Sequence, residues 1–164
     1  MNLTTTLLHQ IDEIGRTPDS QAQLRCALAQ ELEKAGNYET ARQALGALWQ
    51  GIGARPDLGS FEPRTQASVL LRVGVLSGWL GSAHQVAGSQ DVAKDLISES
   101  RSLFASLGET GRAAEAEIEL AWCYWREGCY DEARVMLRHA LESVPDSELE
   151  LKGIAQVRRA EVER

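Results

Sequence analysis

The sequence predicts an all-α protein of about eight helices. Ala, Leu, Glu, Gln and Arg, which favour helices, dominate every long segment of the 164 residues, and aromatic residues make up only 5%. No segment alternates apolar and polar residues over the length of a strand. A hydrophobic content of 43% with 25% charged residues is typical of a folded chain, so we expect these helices to pack around a core.

Proline and glycine mark the ends of the predicted helices, because proline cannot continue a helix and glycine accepts the backbone of a tight turn. The breaks fall at Thr17-Pro18, Gly36-Asn37, Gly51 to Pro63, Gly81-Ser82, Gly108 to Gly111, Gly128-Cys129 and Pro145-Asp146. They predict a single domain over 1–164, with helix pairs over 19–50, 64–107 and 111–144. Flanking helices are expected over 2–15 and 147–163.

An internal repeat supports the division into pairs, since residues 28–42 align without gaps on residues 120–134. A small alanine lets the partner helix approach, and a glycine relieves the turn between antiparallel helices. Pro145 falls where the later pair should finish. The coinciding residues are Leu28 and Leu120, Ala29 and Ala121, Gly36 and Gly128, Tyr38 and Tyr130, Ala41 and Ala133, and Arg42 and Arg134.

This pattern resembles the tetratricopeptide repeat, most strongly over 115–146, well over 24–49, and less in a middle unit that begins near Ala67. The middle unit has an insertion over 82–90, and its long second helix resembles the longer repeat variant of bacterial regulators and signalling ATPases. The resemblance implies a right-handed superhelix of stacked antiparallel pairs, in which the first helix of each pair lines a concave groove.

The exposed faces of these first helices give a predicted partner-binding surface. The basic residues of the last helix, together with Arg126, would give one end of the groove a positive edge. An acidic or carboxylate-bearing peptide would therefore suit the groove. The first pair would present Cys26, Gln30 and Glu33. The predicted binding residues are Leu71, Val75 and Trp79 in the middle unit, Ile118, Trp122, Trp125 and Arg126 in the third pair, and Lys152, Gln156 and Arg159 in the last helix.

Two interpretations of Trp79, Trp122 and Trp125 stay open. They are anchors for a partner, as tryptophans often are at interfaces, or they fill the core of a tight superhelix. Gly74 and Gly78 in the middle helix are expected to allow close packing of a neighbouring helix rather than to form a dimer seam.

Charge and cysteine content exclude several classes of protein. A net charge of -7 repels phosphate backbones, so we expect no nucleic-acid binding. Three cysteines favour reduced thiols in a cytoplasmic protein over a disulfide framework. The longest apolar run, 69–80, contains Arg72 and is shorter than the ~20 residues of a membrane span, so no membrane association is expected.

No pattern of catalytic or cofactor-binding residues is present in the sequence. His9, His84 and His139 have no partner at metal-ligand spacing, and no glycine-rich phosphate loop follows a strand. Glu115, Glu117 and Glu119 alternate along a helix, which we interpret as a solvated face. We therefore expect no enzyme activity, no cofactor and no metal.

The function predicted from the sequence is a non-catalytic protein-interaction module that binds another protein or peptide. It would be a scaffold or a regulatory segment of a larger cytoplasmic bacterial protein. Gln30, Val75 and Trp122 stand where the carboxylate clamp of related chaperone-binding proteins has asparagines, so that role is not supported. The alternatives are a domain that senses a ligand or peptide and a module that associates with itself as a homodimer.

Overall fold

The computed structural model describes residues 3–14 and 17–164, and in these ranges the chain forms eight α-helices and no strand. The all-α prediction is therefore confirmed. The predicted limits of the first helix, residues 2 and 15, lie outside the described residues. The helices are α1 Leu3–Ile14, α2 Pro18–Lys34, α3 Tyr38–Leu45, α4 Pro63–Ala83, α5 Ser89–Ser106, α6 Thr110–Arg126, α7 Tyr130–Ser143 and α8 Leu149–Val162.

Helices that follow one another along the chain pack as pairs, and the two helices of a pair are joined by a short turn. The turns after α2 and α6 have the same hydrogen bonds, from Asn37 N to Leu32 O (2.8 Å) and from Cys129 N to Tyr124 O (2.9 Å). Gly36 and Gly128 adopt φ values of +77° and +80°, which favour glycine. The two copies of the sequence repeat therefore form the same helix–turn–helix geometry.

The helix ends follow from local residues. Thr17 caps α2 by accepting a hydrogen bond from the backbone of Ser20, whose side chain in turn accepts one from the backbone of Thr17. Pro63 occupies the first turn of α4, where its missing N–H costs nothing. The second helix of the first pair is shorter than the prediction, which extended to residue 50, because α3 ends at Leu45 and a 3-10 turn follows over Gly46–Leu48.

Helix α4 is the central element. It has 21 residues, of which 15 are buried, and it contacts α2, α3, α5 and α6. Gly74 lies so close to α5 that a Cβ there would meet Ile97 Cγ1 at 2.6 Å, which confirms the predicted close packing. The predicted insertion over 82–90 is a turn of only five residues, because α4 continues to Ala83 and α5 begins at Ser89.

The long connection between α3 and α4 is packed against the helices. The indole of Trp49 is buried and donates a hydrogen bond to Ala54 O (3.1 Å). Arg55 pairs with Glu99 of α5 at 2.5 Å. Ile52 and Phe61 contact the apolar cluster formed by α2, α3 and α4. The connection is therefore part of the folded structure.

None of the eight helices is both long and apolar enough to cross a lipid bilayer. This holds for the ranges that the structure describes.

Candidate functional site

A cavity of about 550 Å³ lies between α2, α4, α6 and α8. These are the first helices of the three pairs and the final helix. Three of them present residues at positions i, i+3 and i+7, the spacing of one helix face. Those residues are Arg72, Val75 and Trp79 in α4, Arg112, Glu115 and Glu119 in α6, and Leu151, Ile154 and Arg158 in α8.

Charged side chains dominate the lining. The cavity also has an apolar wall formed by Tyr38, Val75, Trp79, Leu151 and Ile154. Four basic residues line it: Lys34, Arg72, Arg112 and Arg158. Five carboxylates line it as well: Glu33, Glu115, Glu119, Glu148 and Glu150.

A charged cluster, which we define as Gln30, Glu33, Arg72, Arg112 and Glu115, joins three helices. Arg72 is only 3% exposed and donates to Glu33 of α2 (2.5 Å) and Glu115 of α6 (2.6 Å). Glu115 also accepts hydrogen bonds from Arg112 (2.6 Å) and Gln30 (2.9 Å). The buried guanidinium of α4 is thus held between carboxylates of both neighbouring first helices.

Burial and the neighbouring charges shift the pKa values of Glu33 and Arg72. Burial raises the pKa of Glu33 to about 7; Arg72 opposes the shift, and the carboxylates of Glu119 and Glu115 add to it. For Arg72, burial disfavours the charged form, but the nearby carboxylates outweigh it and raise the pKa above its usual value. Glu33 Oε1 is buried and has no hydrogen-bond partner among the described residues.

An aromatic stack, defined as Tyr38, Trp79, Trp122, Trp125 and Arg126, lies beside the charged cluster. The rings of Tyr38 and Trp79 stack at 4.5 Å, and those of Trp122 and Trp125 at 4.3 Å. The Arg126 guanidinium lies 4.1 Å from the Trp79 ring centre and 5.9 Å from that of Trp122, so it connects the two stacked pairs.

Arg126 differs from Arg72 in its partners. No carboxylate of the described chain lies within ion-pair distance of Arg126, and its Nη2 is buried without a hydrogen-bond partner. Burial lowers the pKa of its guanidinium. Aromatic faces, rather than anions, therefore surround this cation.

The structure places the predicted partner-binding residues of α4 and α6 in three environments. Val75 and Trp79 line the cavity, as do Gln30 and Glu33 of the first pair. The prediction is wrong for Leu71 and Ile118, which are fully buried in the core because their side of each helix faces a neighbouring helix. Trp122, 7% exposed, Trp125 and Arg126 belong to the aromatic stack and do not line the cavity.

The predicted residues of α8 do not line the cavity either. Lys152 pairs with Asp146, Arg159 pairs with Glu163 (3.6 Å), and Gln156 is exposed. The helix turns its apolar face inward, so the neighbouring positions line the cavity instead. Those positions are Leu151, Ile154 and Arg158. Cys26, also expected in the groove, is buried in the core, where burial raises the pKa of its thiol to about 12.

The interpretation of Glu115, Glu117 and Glu119 as a solvated face is wrong. Glu115 and Glu117 are 9% and 6% exposed. Glu117 pairs with Arg101 (3.2 Å) and His139 (2.8 Å), and Glu119 pairs with Arg158 (2.9 Å). Alternate positions on α6 face different neighbours, and each of these neighbours supplies a basic partner.

Sequence reasoning also missed Arg72, Arg112 and Arg158 as cavity residues. One signal was present: an arginine within the apolar run 69–80 requires a buried anion, and Glu115 lies at the helix position that faces it. Among the described residues, no group of three His, Cys, Asp or Glu side chains is arranged to hold a metal ion.

In comparisons with known proteins, no protein-family model, no curated protein and no solved structure matches the chain.

Proposed function

We propose that this protein is a non-catalytic interaction module of the tetratricopeptide type, which binds a peptide or helix of a partner protein in the cavity between α2, α4, α6 and α8. The observation that carries the proposal is the position of the cavity. The first helices of three successive pairs and the final helix all contribute to it. A recess lined by consecutive pairs is the surface that helical repeat proteins use for partners.

The chemistry of the lining fits a peptide. The apolar wall can receive side chains, and the charged residues around it can bind polar groups and set the orientation of a partner. The repeated helix–turn–helix geometry of 28–42 and 120–134 supports the assignment to tetratricopeptide-type pairs. We propose that the module serves as a scaffold or as a regulatory segment of a larger cytoplasmic protein.

The proposal can be tested by selecting binders from a library of displayed peptides of random sequence. We expect the protein to enrich a family of peptides that bind reversibly. Their affinity should fall strongly in the Leu151→Trp variant, because an indole at this partly buried position would fill the cavity. Val157→Trp is the matched control, since it adds the same ring to the same helix at a site that is 60% exposed and outside the cavity.

Two results would contradict the proposal: no peptide is enriched, or the enriched peptides bind Leu151→Trp as tightly as the unchanged protein. Circular dichroism of both variants establishes that they are folded. Light scattering across concentration separates peptide binding from self-association, because two copies that fill each other's cavity would double the mass.

A small-molecule sensor is the second candidate. The volume of about 550 Å³ favours it, since ligand pockets measure roughly 300–1,000 Å³. A metabolite library screened by thermal shift tests this alternative. A ligand that raises the melting temperature of the unchanged protein, but not of Leu151→Trp, would support it.

A further inference from the structure

The basic residues of the cavity are already neutralised. Lys34 pairs with Glu150 (2.9 Å), Arg112 with Glu115 (2.6 Å), and Arg158 with Glu119 (2.9 Å). Arg72 is shared between two carboxylates, as described above. Among the described residues, every cation of the lining therefore has a carboxylate partner, and an anionic ligand would meet five glutamates. The one donor without a hydrogen-bond partner, Arg72 Nε, belongs to a guanidinium that already pairs with two carboxylates. Arg126, which has no carboxylate partner, does not line the cavity.

The carboxylates, in contrast, exceed the basic groups. Glu33 and Glu115 share a single guanidinium, although Glu115 gains a second one from Arg112. Glu148, at the exposed edge of the cavity, has no ion pair with any basic side chain of the described chain. The charge of the lining is thus complementary to a cation.

Glu33 provides an independent observation at the same place. Its side chain lines the cavity and is only 9% exposed. One carboxylate oxygen accepts a hydrogen bond from Arg72, while the other, Oε1, is buried without a donor. A buried charged acceptor that lacks a donor is costly, and a cationic donor brought by a ligand would remove that cost.

We propose that the cavity takes a basic side chain, a lysine or arginine of the partner segment, and that Glu33 accepts its ammonium or guanidinium group. This inference rests on the proposed function, because it names the chemistry of the partner. The methylene stem of a lysine or arginine would pack on Tyr38, Val75 and Trp79, since such stems bury readily against apolar surface. The sequence favoured an acidic peptide because Arg126, Lys152 and Arg159 were predicted to form a positive edge of the groove, but none of the three lines the cavity.

The raised pKa of Glu33 gives the inference a second readout. At neutral pH part of this carboxyl group carries a proton. A bound cation stabilises the carboxylate, so the proton leaves to solvent as the ligand enters. Three neighbouring groups shape this titration: Arg72 on α4, and Glu115 and Glu119 on α6. Binding of a basic peptide near pH 7 should therefore release protons.

The test uses peptides selected on the full chain, with one basic residue of a selected peptide replaced by norleucine. We expect the selected family to share a lysine or arginine. Its replacement should weaken binding to the unchanged protein by at least about tenfold, as truncation of one member of a buried charge pair does. With the Glu33→Gln variant, the same replacement should change the affinity by less than about twofold, because the interaction is already lost.

Glu142→Gln is the control, since Glu142 is exposed on α7 and outside the cavity. It should bind like the unchanged protein. Titration calorimetry in buffers of different ionisation enthalpy counts the protons. We expect release for the unchanged protein and for Glu142→Gln, and none for Glu33→Gln.

The outcomes separate the inference from the proposed function. Selected peptides that are neutral or acidic, yet lose affinity for Leu151→Trp, would overturn the cation site and leave the interaction module standing. Basic peptides that bind Glu33→Gln unchanged and release no protons would overturn the role of Glu33. A library that yields no binding peptide would overturn both.

Discussion

Two arginines, Arg72 in the lining of the cavity and the partly buried Arg126 beside it, are held by different interactions. In the charged cluster, Arg72 lies between the carboxylates of Glu33 and Glu115. In the aromatic stack, Arg126 lies against Trp79 and Trp122 and has no ion pair in the described chain. The comparison indicates that two adjacent parts of the helical structure are stabilised by different interactions. The charged cluster depends on complementary charge, whereas the aromatic stack depends on packed area.

Removal of Arg72 should have the largest effect. Arg72→Met leaves Glu33 and Glu115 buried without their shared cation, and loss of one partner from a buried ion pair costs about 3–5 kcal/mol. Urea unfolding at pH 7 measures the free energy. Arg64→Met is the control, because Arg64 is on the same helix but is 69% exposed, and such surface pairs contribute about 0–1 kcal/mol. Equal losses for the two variants would contradict the comparison.

Replacement of Glu33 should change how stability depends on pH. Burial raises its pKa from 4.5 to about 7, so the folded protein holds the proton more tightly than the unfolded chain. The resulting stabilisation is fully present below about pH 4.5 and is lost as the pH rises through about 7. Residue 33 cannot titrate in Glu33→Gln, so the stability of this variant relative to the unchanged protein should increase by about 2–3 kcal/mol as the pH rises from 5 to 8.

Unfolding of both proteins by urea at pH 5 and pH 8 measures this difference. Glu142→Gln, at an exposed site, should follow the unchanged protein at both pH values. A constant difference between Glu33→Gln and the unchanged protein would show that Glu33 has an ordinary pKa.

Truncation of Trp79 tests the aromatic stack and should have an intermediate effect. Trp79→Ala loses contact with Tyr38 and Arg126. Because the indole is only partly buried, we expect about 2 kcal/mol, below the 3–5 kcal/mol of a core tryptophan. The pH dependence should stay unchanged, which distinguishes this region from the charged cluster. Tyr130→Ala, at an exposed ring, should lose less than about 0.5 kcal/mol in the same urea titrations.

Removal of Arg126 should have the smallest effect. Arg126→Met gives up a cation–aromatic interaction of about 0.5–2 kcal/mol, but it also removes a partly buried charge that has no anionic partner in the described chain. We expect a net loss under about 1 kcal/mol by urea unfolding. A loss as large as that of Arg72→Met would mean that Arg126 has an anionic partner in solution.

The sequence predicted the helices well because their ends are encoded locally. Proline at the start of α2 and α4, and glycine in the turns after α2 and α6, act within a few residues. The geometry of one first helix, carried to the middle unit, predicted Leu71, Val75 and Trp79 on the groove side; Val75 and Trp79 line the cavity, whereas Leu71 is in the core.

The charged cluster was not predicted because its partners are distant in sequence. Arg72 lies 39 residues from Glu33 and 43 from Glu115, so only the packing of α2, α4 and α6 brings them together. The prediction of which side of α8 faces the cavity was also wrong. The side of α8 that faces inward is set by its contacts with α6 and α7, which no local pattern in the sequence encodes.

The burial of the middle of α4 has a consequence for how the protein unfolds. In a linear repeat array each pair contacts only its neighbours, and the ends can open first. Helix α4 contacts its partner α5 and both adjacent pairs, through α2, α3 and α6, and it has an ion-paired arginine in the interior. Its amide hydrogens should therefore exchange with deuterium only when the whole molecule opens, whereas those of α1 and α8 exchange through local fraying. The middle pair would then act as the folding unit on which both ends of the chain assemble.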